Sequence, residues 1–575
     1  MLTRLCIRNL KRFDSVEIDL ARSVVFVGPN NSGKTTALQA LSLWRHGLVA
    51  WTARREAGSA AEKRTGVALN RRDLIAIPVP SAKQLWRRLE TRHARRKDGK
   101  QEIENIRIEI VVDGIDEATD TQWSCGLEFD SGNEESLYCR PLRLASAKSS
   151  GRMQVPPQAI GTRIAFLPPM SGIAAVEPRL ERGRVDVLLG EGQTAQVMRN
   201  LCHQIAENKD DPTAWDEMAG HIKDLFGVTL DRPQYLAARG EITMAYTEAD
   251  GTVLDISAAG RGLQQTALLL SHLYANPRTT LLLDEPDAHL EILRQGQIYR
   301  LLSDLAGRKG SQLICASHSE IVLNEAAERD VVVAFLGKPH RIDDRGAQLR
   351  KSLAEIGFDQ YYQAETSGWV LYLEGSTDLA ILQAFAKTLK HSAESALARP
   401  FVRYVENQTG KARDHFRALK EAVPNLVGLA IFDRLAAVPD SPNDLAIRNW
   451  KSYEIESYLA RKDVLKAFAE HATIDDLVGK AEAAARADAM ESAIEQIESA
   501  LKTLGQDAWS ADIKASTQVL EPIFRKYFET LGLPMLIRKT NFHELAAHLP
   551  KKEISAEIVS MLDLIAETFD RAKPR

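Results

Sequence analysis

Gly28-Pro29-Asn30-Asn31-Ser32-Gly33-Lys34-Thr35 fits the pattern G-x-x-x-x-G-K-[ST]. Such a loop wraps phosphate oxygens with its backbone N–H groups, Lys34 reaches the β and γ phosphates, and the Thr35 hydroxyl ligates Mg2+. Asn30, Asn31, Ser32, Gly33 and Thr36 complete the expected nucleotide contacts. A glycine loop alone could match by chance, but an apolar strand precedes this one and a helix follows it. Leu281-Leu282-Leu283-Asp284-Glu285-Pro286 supplies the acidic complement: Asp284 to hold Mg2+ and Glu285 to orient an attacking water. The small-residue turn from Ser257 to Gly262 opens another helix. Ser257, Gly260 and Gly262 there are suited to presenting a hydroxyl and amides to a phosphate across a dimer interface. His318, just after a further strand, is placed to sense the γ-phosphate. These features require ATP and Mg2+.

A second set of acids follows. Leu371-Tyr372-Leu373-Glu374-Gly375-Ser376-Thr377-Asp378 puts Glu374 at the end of an apolar strand and Asp378 in the first turn of the next helix. Asp433 ends the apolar run Leu429 to Phe432, and Glu454 and Glu456 lie two residues apart. Ligands of open α/β sheets sit at the carboxyl ends of the strands. Acids converging there repel unless divalent cations neutralise them, and an all-oxygen set at Glu374, Asp378, Asp433 and Glu456 suits Mg2+ or Mn2+. Two such ions about 4 Å apart perform phosphoryl transfer. The alternative for Glu454 and Glu456 is that one is an ordinary solvent-facing charge.

The elements that must hold these groups can be read from hydrophobic periodicity. Met1 to Val27 reads as strands, ending in the fully apolar Val24 to Val27. Ile106 to Phe129 alternates, helical patterns fill 195–226, and more strands reach Ile256. A strand from Thr280, a helix from His289 to Leu305 and a strand at Gln312 to Ala316 close a first α/β domain of residues 1–340. A linker is expected over 341–367, then a doubly wound α/β domain over 368–575 built on strands at Trp369 to Leu373 and Leu426 to Phe432. It is interrupted by a helical insertion at about 465–530. Residues 53–100 carry fourteen Lys and Arg against five Asp and Glu, a local net of +9. As a solvated helix face this run would be inert; as an insertion meeting phosphate backbones it would bind nucleic acid without reading sequence.

The nucleotide-binding residues, with the opening Ile7-Arg8-Asn9-Leu10-Lys11-Arg12-Phe13, resemble the ABC-type ATPase head of SMC-like, RecF-like and OLD-family proteins over about residues 1–338. That resemblance implies a homodimer through paired heads, with a higher oligomer open. The turn reads Ser-Ala-Ala-Gly-Arg-Gly where a transporter has Ser-Gly-Gly-Gln, as in the OLD branch. The second set of acids resembles a Toprim domain over about 368–549, and the fusion of the two is the OLD-family architecture, which includes the Gabija nuclease subunit. Within that resemblance Lys539 matches the late basic residue that stabilises a scissile phosphate. One departure is plain. The second Toprim acidic motif is Asp-x-Asp, whereas this chain reads Asp433-Arg434-Leu435, with Asp440 and Asp444 as distant substitutes. The resemblance implies an ATP-regulated, metal-dependent DNA endonuclease of anti-phage defence. A degenerate Toprim domain on an ATP-driven DNA scaffold, or a nuclease needing a helicase or reverse-transcriptase partner, are the alternatives it leaves open.

Composition sets the outer bounds. The chain has 575 residues, 44% hydrophobic and 26% charged, enough for two or three large cores and incompatible with wholesale disorder. A net charge of −4 excludes a generally basic nucleic-acid coat. Cys6, Cys125, Cys139, Cys202 and Cys315 form no C-x-x-C pair, which argues against zinc modules and disulfide scaffolds and points to a reducing cytoplasm. No segment has the apolar length of a membrane span.

Overall fold

The computed structural model describes residues 1–574 apart from 57–65, 75–76, 98–99, 145–150, 169–171, 191–192, 328, 343–356, 438–442 and 472–476. Lys63, Arg64 and Asp440, part of the Ser-rich loop before Gly151, and the start of the Ala/Glu-rich helical pattern fall outside the described residues. The chain divides into two compact units, Met1–Arg350 and Lys351–Arg575.

The first unit begins with β1 (Leu2–Leu10), β2 (Phe13–Asp19) and β3 (Ser23–Val27). β4 (Val67–Asn70), β5 (Arg92–Lys97), β6 (Lys100–Asn105), β7 (Ile108–Asp116), β8 (Thr121–Ser131) and β9 (Ser136–Pro141) follow. An antiparallel sheet runs in the order β2-β1-β7-β8-β9-β4. Along β7 the side chains of Ile108, Ile110 and Val112 are buried while those between them are partly exposed, the period-two signature of a sheet with one covered face. β10 (Ile164–Leu167) starts the second sheet. Five short strands intervene: β11 (Thr229–Leu230), β12 (Gln234–Leu236), β13 (Glu241–Thr243), β14 (Ala245–Thr247) and β15 (Val253–Asp255). Then come β16 (Thr280–Asp284), β17 (Gln312–Ser317), β18 (Val331–Ala334) and β19 (His340–Arg341). The order is β10-β16-β17-β3-β18-β19, parallel except for β19.

β3 is therefore central, and all five of its residues are buried, as its unbroken apolar sequence requires. The helix Lys34–Glu56 that follows shares one core with both sheets: Leu38, Leu41, Trp44 and Leu48 join Ile7, Phe129, Phe26 and Leu282. Trp44 donates its indole N–H to the Cys125 carbonyl at 3.0 Å and stacks on Trp123. Gly47, in mid-helix, has no room for a side chain, since a Cβ would lie 2.7 Å from the Cys139 Sγ.

Arg54 and Arg55 of the basic run lie on the Lys34–Glu56 helix. Past the end of that helix, the described part of the run comprises β4, three short 3-10 turns between Arg71 and Leu89, and the β5–β6 hairpin. Arg71 and Arg72 pair with Glu135, and Arg87 with Asp14.

In the second unit, β20 (Trp369–Leu373), β21 (Val402–Tyr404), β22 (Val427–Phe432) and β23 (Leu445–Asn449) form a wholly parallel sheet, β21-β20-β22-β23. Both faces are covered. Trp369, Leu371, Leu429 and Ile431 enter a core with the helices Ser376–Leu389 and Ala556–Asp570. On the other face Tyr372 meets His415, and Gly428 leaves space for Phe416, both from the helix Thr409–Ala422.

One sequence expectation needs correction. Residues 358–367, assigned to a linker, form a helix that closes on an αL Gly368 and buries Tyr361 within the second unit. The helical segment expected at about 465–530 packs into that unit: Met490, Ala493, Ile494 and Phe524 belong to the same core as Leu371 and Leu429.

Candidate functional site

The nucleotide site is built on the carboxyl ends of β3, β16 and β17. Gly33 lies at φ 108°, and a Cβ on it would come within 2.6 Å of the Phe13 ring, so the loop closes only with glycine there. Asn31 also takes a positive φ, and Asn30 and Asn31 are exposed. Ser32 is buried with its Oγ unpartnered, a donor left over in a loop built to meet anions. Lys34 folds its ammonium over the loop, donating to the Gly28 carbonyl at 2.6 Å and to Pro29 at 3.0 Å. Burial lowers its pKa, and Glu285, Asp284 and Asp287 oppose that. The Thr35 hydroxyl donates to Asp284 Oδ1 at 3.1 Å, joining the two residues expected to share Mg2+. Thr36 is the half-buried third residue of the helix. Asp284 is pushed up to about 6 by burial, with Glu285 adding to it and Thr35 and Lys34 opposing.

Glu285 takes a positive φ (51°) just beyond β16, and its amide donates to the Ala316 carbonyl. That turn brings its Oε1 within 3.5 Å of the His318 Nδ1, so the two residues expected to act at the γ-phosphate are neighbours.

The turn before the helix Arg261–Ala275 differs from expectation at one atom. The Ser257 hydroxyl donates to Asp255 Oδ1 at 2.6 Å, so its proton is not offered to a phosphate. Gly260 caps the helix and is exposed, and Gly262 follows in its first turn. Two anchors escaped the sequence reading. Gln264 donates to the carbonyls of Ile256, Ser257 and Ala259, and the fully buried Arg199 donates to Asp255 at 2.8 Å and to the Ala174 carbonyl at 2.7 Å. Gln264 stood beside the turn as a signal; Arg199, nearly sixty residues away, gave none.

The acids of the second unit gather at the carboxyl edge of its sheet. Glu374 follows β20, Asp433 follows β22, and Glu454 and Glu456 follow β23. The Glu374 amide donates to Asp378 Oδ2 at 3.2 Å. Asp433 is raised well above the carboxylate range by burial, by a hydrogen bond with Glu374, and by the charges of Glu374, Asp378 and Glu454. Asp378 is pushed up to about 6 by burial and then by Glu374. Glu456 rises to about 7 through burial and then Glu454. Lys539 opens a 3-10 segment, with its Nζ 3.5 Å from Glu456 Oε1. Burial would lower it, but Glu456, Glu454 and Glu374 together hold it above its ordinary value.

Neither Glu454 nor Glu456 faces solvent, at 1% and 2% exposure, which removes the solvent-facing alternative. Glu454 accepts from the Ser516 amide and, at 3.0 Å, from its hydroxyl, so it anchors the site's wall. Ser516 was not foreseen, lying sixty residues away in the helical segment. Asp444 is not a substitute ligand: it precedes β23, at the opposite edge of the sheet, and pairs with Lys420 and Arg571. Arg434 turns away to Asp512 and the Lys451 carbonyl.

The all-oxygen donors and the three raised carboxyls fit a hard divalent cation. Among the described residues no three His, Cys, Asp or Glu side chains are drawn tightly enough to form a ready-made cage. Glu374 and Asp433 share a hydrogen bond instead. No helix among the described residues is long and apolar enough to cross a membrane.

Two family models match, both within the first unit. Residues 1–45 match "AAA ATPase domain", and residues 199–324 match "AAA domain, putative AbiEii toxin, Type IV TA system". The first covers β1–β3, the loop and the start of its helix; the second covers the 257–262 turn, β16 and β17. No curated protein matches the chain. Among solved structures it is similar to an Smc head bound to the C-terminal winged-helix domain of ScpA, at 13% identity and TM-score 0.35, over 59% of this chain and 97% of that one. An Smc head with an extended coiled coil bound to ScpA, from Pyrococcus furiosus, gives 13% and 0.36 over 59% and 96%. An SMC head domain from Thermotoga maritima gives 16% and 0.31 over 59% and 98%. The first unit thus contains a P-loop ATPase domain of AAA type. Its two matched parts are separated in sequence by residues 46–198, and ATP is its ligand.

Proposed function

We propose that the chain is an ATP-regulated, divalent-metal-dependent DNA endonuclease of OLD type, acting in bacterial defence against phage DNA. The observation that carries this reading is the convergence of Glu374, Asp378, Asp433 and Glu456, with Lys539 beside them, on the carboxyl edge of one parallel sheet. Mg2+ or Mn2+ held by those four carboxyls would polarise a phosphodiester and lower the pKa of the attacking water. Lys539 offers its ammonium to the developing charge on the scissile phosphate. Glu454, held by Ser516, fixes the wall behind Glu456.

In the head, Lys34 and the loop amides hold the triphosphate, Thr35 and Asp284 hold Mg2+, and Glu285 with His318 orients water for hydrolysis. Pairing of two heads around ATP would make a homodimer whose nucleotide state governs access to DNA.

Arg434-Leu435 in place of a second acid, with no ready-made cage among the described residues, favours a second reading: an ATP-driven DNA-binding protein whose second unit cleaves nothing, or cleaves only with a helicase or reverse-transcriptase partner. Incubating the chain with plasmid and Mg2+ or Mn2+, with and without ATP, beside Glu374→Ala, separates them. Nicking lost in the variant supports the nuclease. Equal survival of DNA with both proteins in every nucleotide condition rejects autonomous cleavage.

A further inference from the structure

One cavity of the first unit takes no part in the nucleotide chemistry described above. It measures about 580 Å3. Its walls are the middle of the helix Lys34–Glu56, the strand β10, and the last turns of the helix Arg261–Ala275. Among the described side chains, Arg45, Arg163 and Arg182 line it together with His46 and His272, and no carboxylate does. Arg45 is held below its ordinary value by burial and then by the charge of Arg163. Like charges brought together in a partly desolvated wall cost free energy unless an anion lies between them. One Arg45 N–H meets the Ile160 carbonyl at 3.0 Å; Arg163 and Arg182 form no ion pair among the described residues.

His272, also in the wall, is 1% exposed, and burial pushes it down to about 4, so its ring adds a neutral surface and no charge. The remaining lining joins the apolar Val49, Phe166, Val187 and Leu189 to the polar Ser42, Asn276 and Thr279, and an inorganic ion would leave the apolar part uncovered.

We propose that this cavity binds an amphiphilic organic anion: a carboxylate, sulfonate or phosphate carried on an apolar or heteroaromatic body. The head group would sit against Arg45 and Arg163, and the body against the apolar wall and His272.

The probe is anilinonaphthalene sulfonate, titrated by fluorescence into the nucleotide-free full chain. Saturable binding at one site per chain is expected, weakened at least tenfold by Arg163→Glu, an exposed position where the fold is retained, and by Arg45→Met. Lys34→Ala, at the P-loop, and Arg525→Glu, an equal charge change in the other unit, should leave it unchanged. Non-saturable binding, wild-type affinity in a folded Arg163→Glu protein, or equal weakening by Lys34→Ala or Arg525→Glu would overturn the proposal. Melting curves of each variant establish that it is folded.

Discussion

Asp378 and Glu456 sit where burial and neighbouring acids oppose their ionisation, and the sign of that effect is testable. With folded values of about 6 and about 7, the folded chain keeps protons that the unfolded chain releases near pH 4. In metal-free protein their contribution to stability is complete below about pH 4. It declines as pH rises and is gone above about 7, on the order of 3 kcal/mol for each group. The melting temperature of the second unit in EDTA should therefore fall between pH 5 and 8. Excess Mg2+ should restore it at pH 8, with protons released into unbuffered solution. A melting temperature independent of both pH and Mg2+ would remove the metal site. In the head, Arg199 is the residue to change. Arg199→Met removes the hydrogen bond to the Ala174 carbonyl and the ion pair to Asp255, and a loss of roughly 1–3 kcal/mol is expected by denaturant unfolding. ATP turnover should fall as well, since Asp255 holds the Ser257 turn.

At the scale of elements, packing overrides propensity in ways one sequence cannot announce. Gly47→Ala should raise helix propensity by about 1 kcal/mol. Yet its Cβ would press on Cys139 and Phe129, so a net loss of about 1–2 kcal/mol in thermal unfolding is expected. Ile494→Ala should cost roughly 2–4 kcal/mol, as a core sheet residue such as Leu429 would, because both lie in one cluster. A loss under about 0.5 kcal/mol would return the 465–530 segment to the status of a removable insertion. The strands that carry the site were legible for a definite reason: β3, β16, β20 and β22 are buried on both faces, so their sequences are unbroken apolar runs ending in Gly28, Asp284, Glu374 and Asp433. The edge strand β21 and the outer strand β23 are short and partly exposed, and gave no comparable run. The helix at 358–367 was hidden because its polar, Gly-flanked sequence reads as a connection, and among the described side chains just Tyr361, Ala364 and Glu365 bury. Ser516 and Arg199 act across long sequence separations, which no local pattern encodes.

At the scale of the whole molecule, near-neutral net charge conceals segregation. Acids are buried at the second unit's sheet edge, while residues 53–100 carry a net +9. The fold reduces that excess, since Arg71, Arg72 and Arg87 are engaged by Glu135 and Asp14. Five more of the cations, Arg92, Arg95, Arg96, Lys97 and Lys100, lie in the sequence of the β5–β6 hairpin, where Glu102 and Glu104 stand opposite Arg95 and His93. A two-stranded ribbon carrying cations at this density suits a phosphate backbone and offers few groups for reading bases. The expected signature is electrostatic. The logarithm of the binding constant for duplex DNA should fall linearly with the logarithm of salt concentration, by about 0.9 for each phosphate neutralised. Replacing Arg92, Arg95, Arg96 and Lys97 by Ser should flatten that slope by up to about 3–4 and weaken binding equally for unrelated sequences. Replacing Arg71, Arg72 and Arg87, already paired within the fold, should change it by less than about 1. An unchanged slope in the hairpin variant would assign DNA contact to another surface and leave this ribbon a solvated charge run.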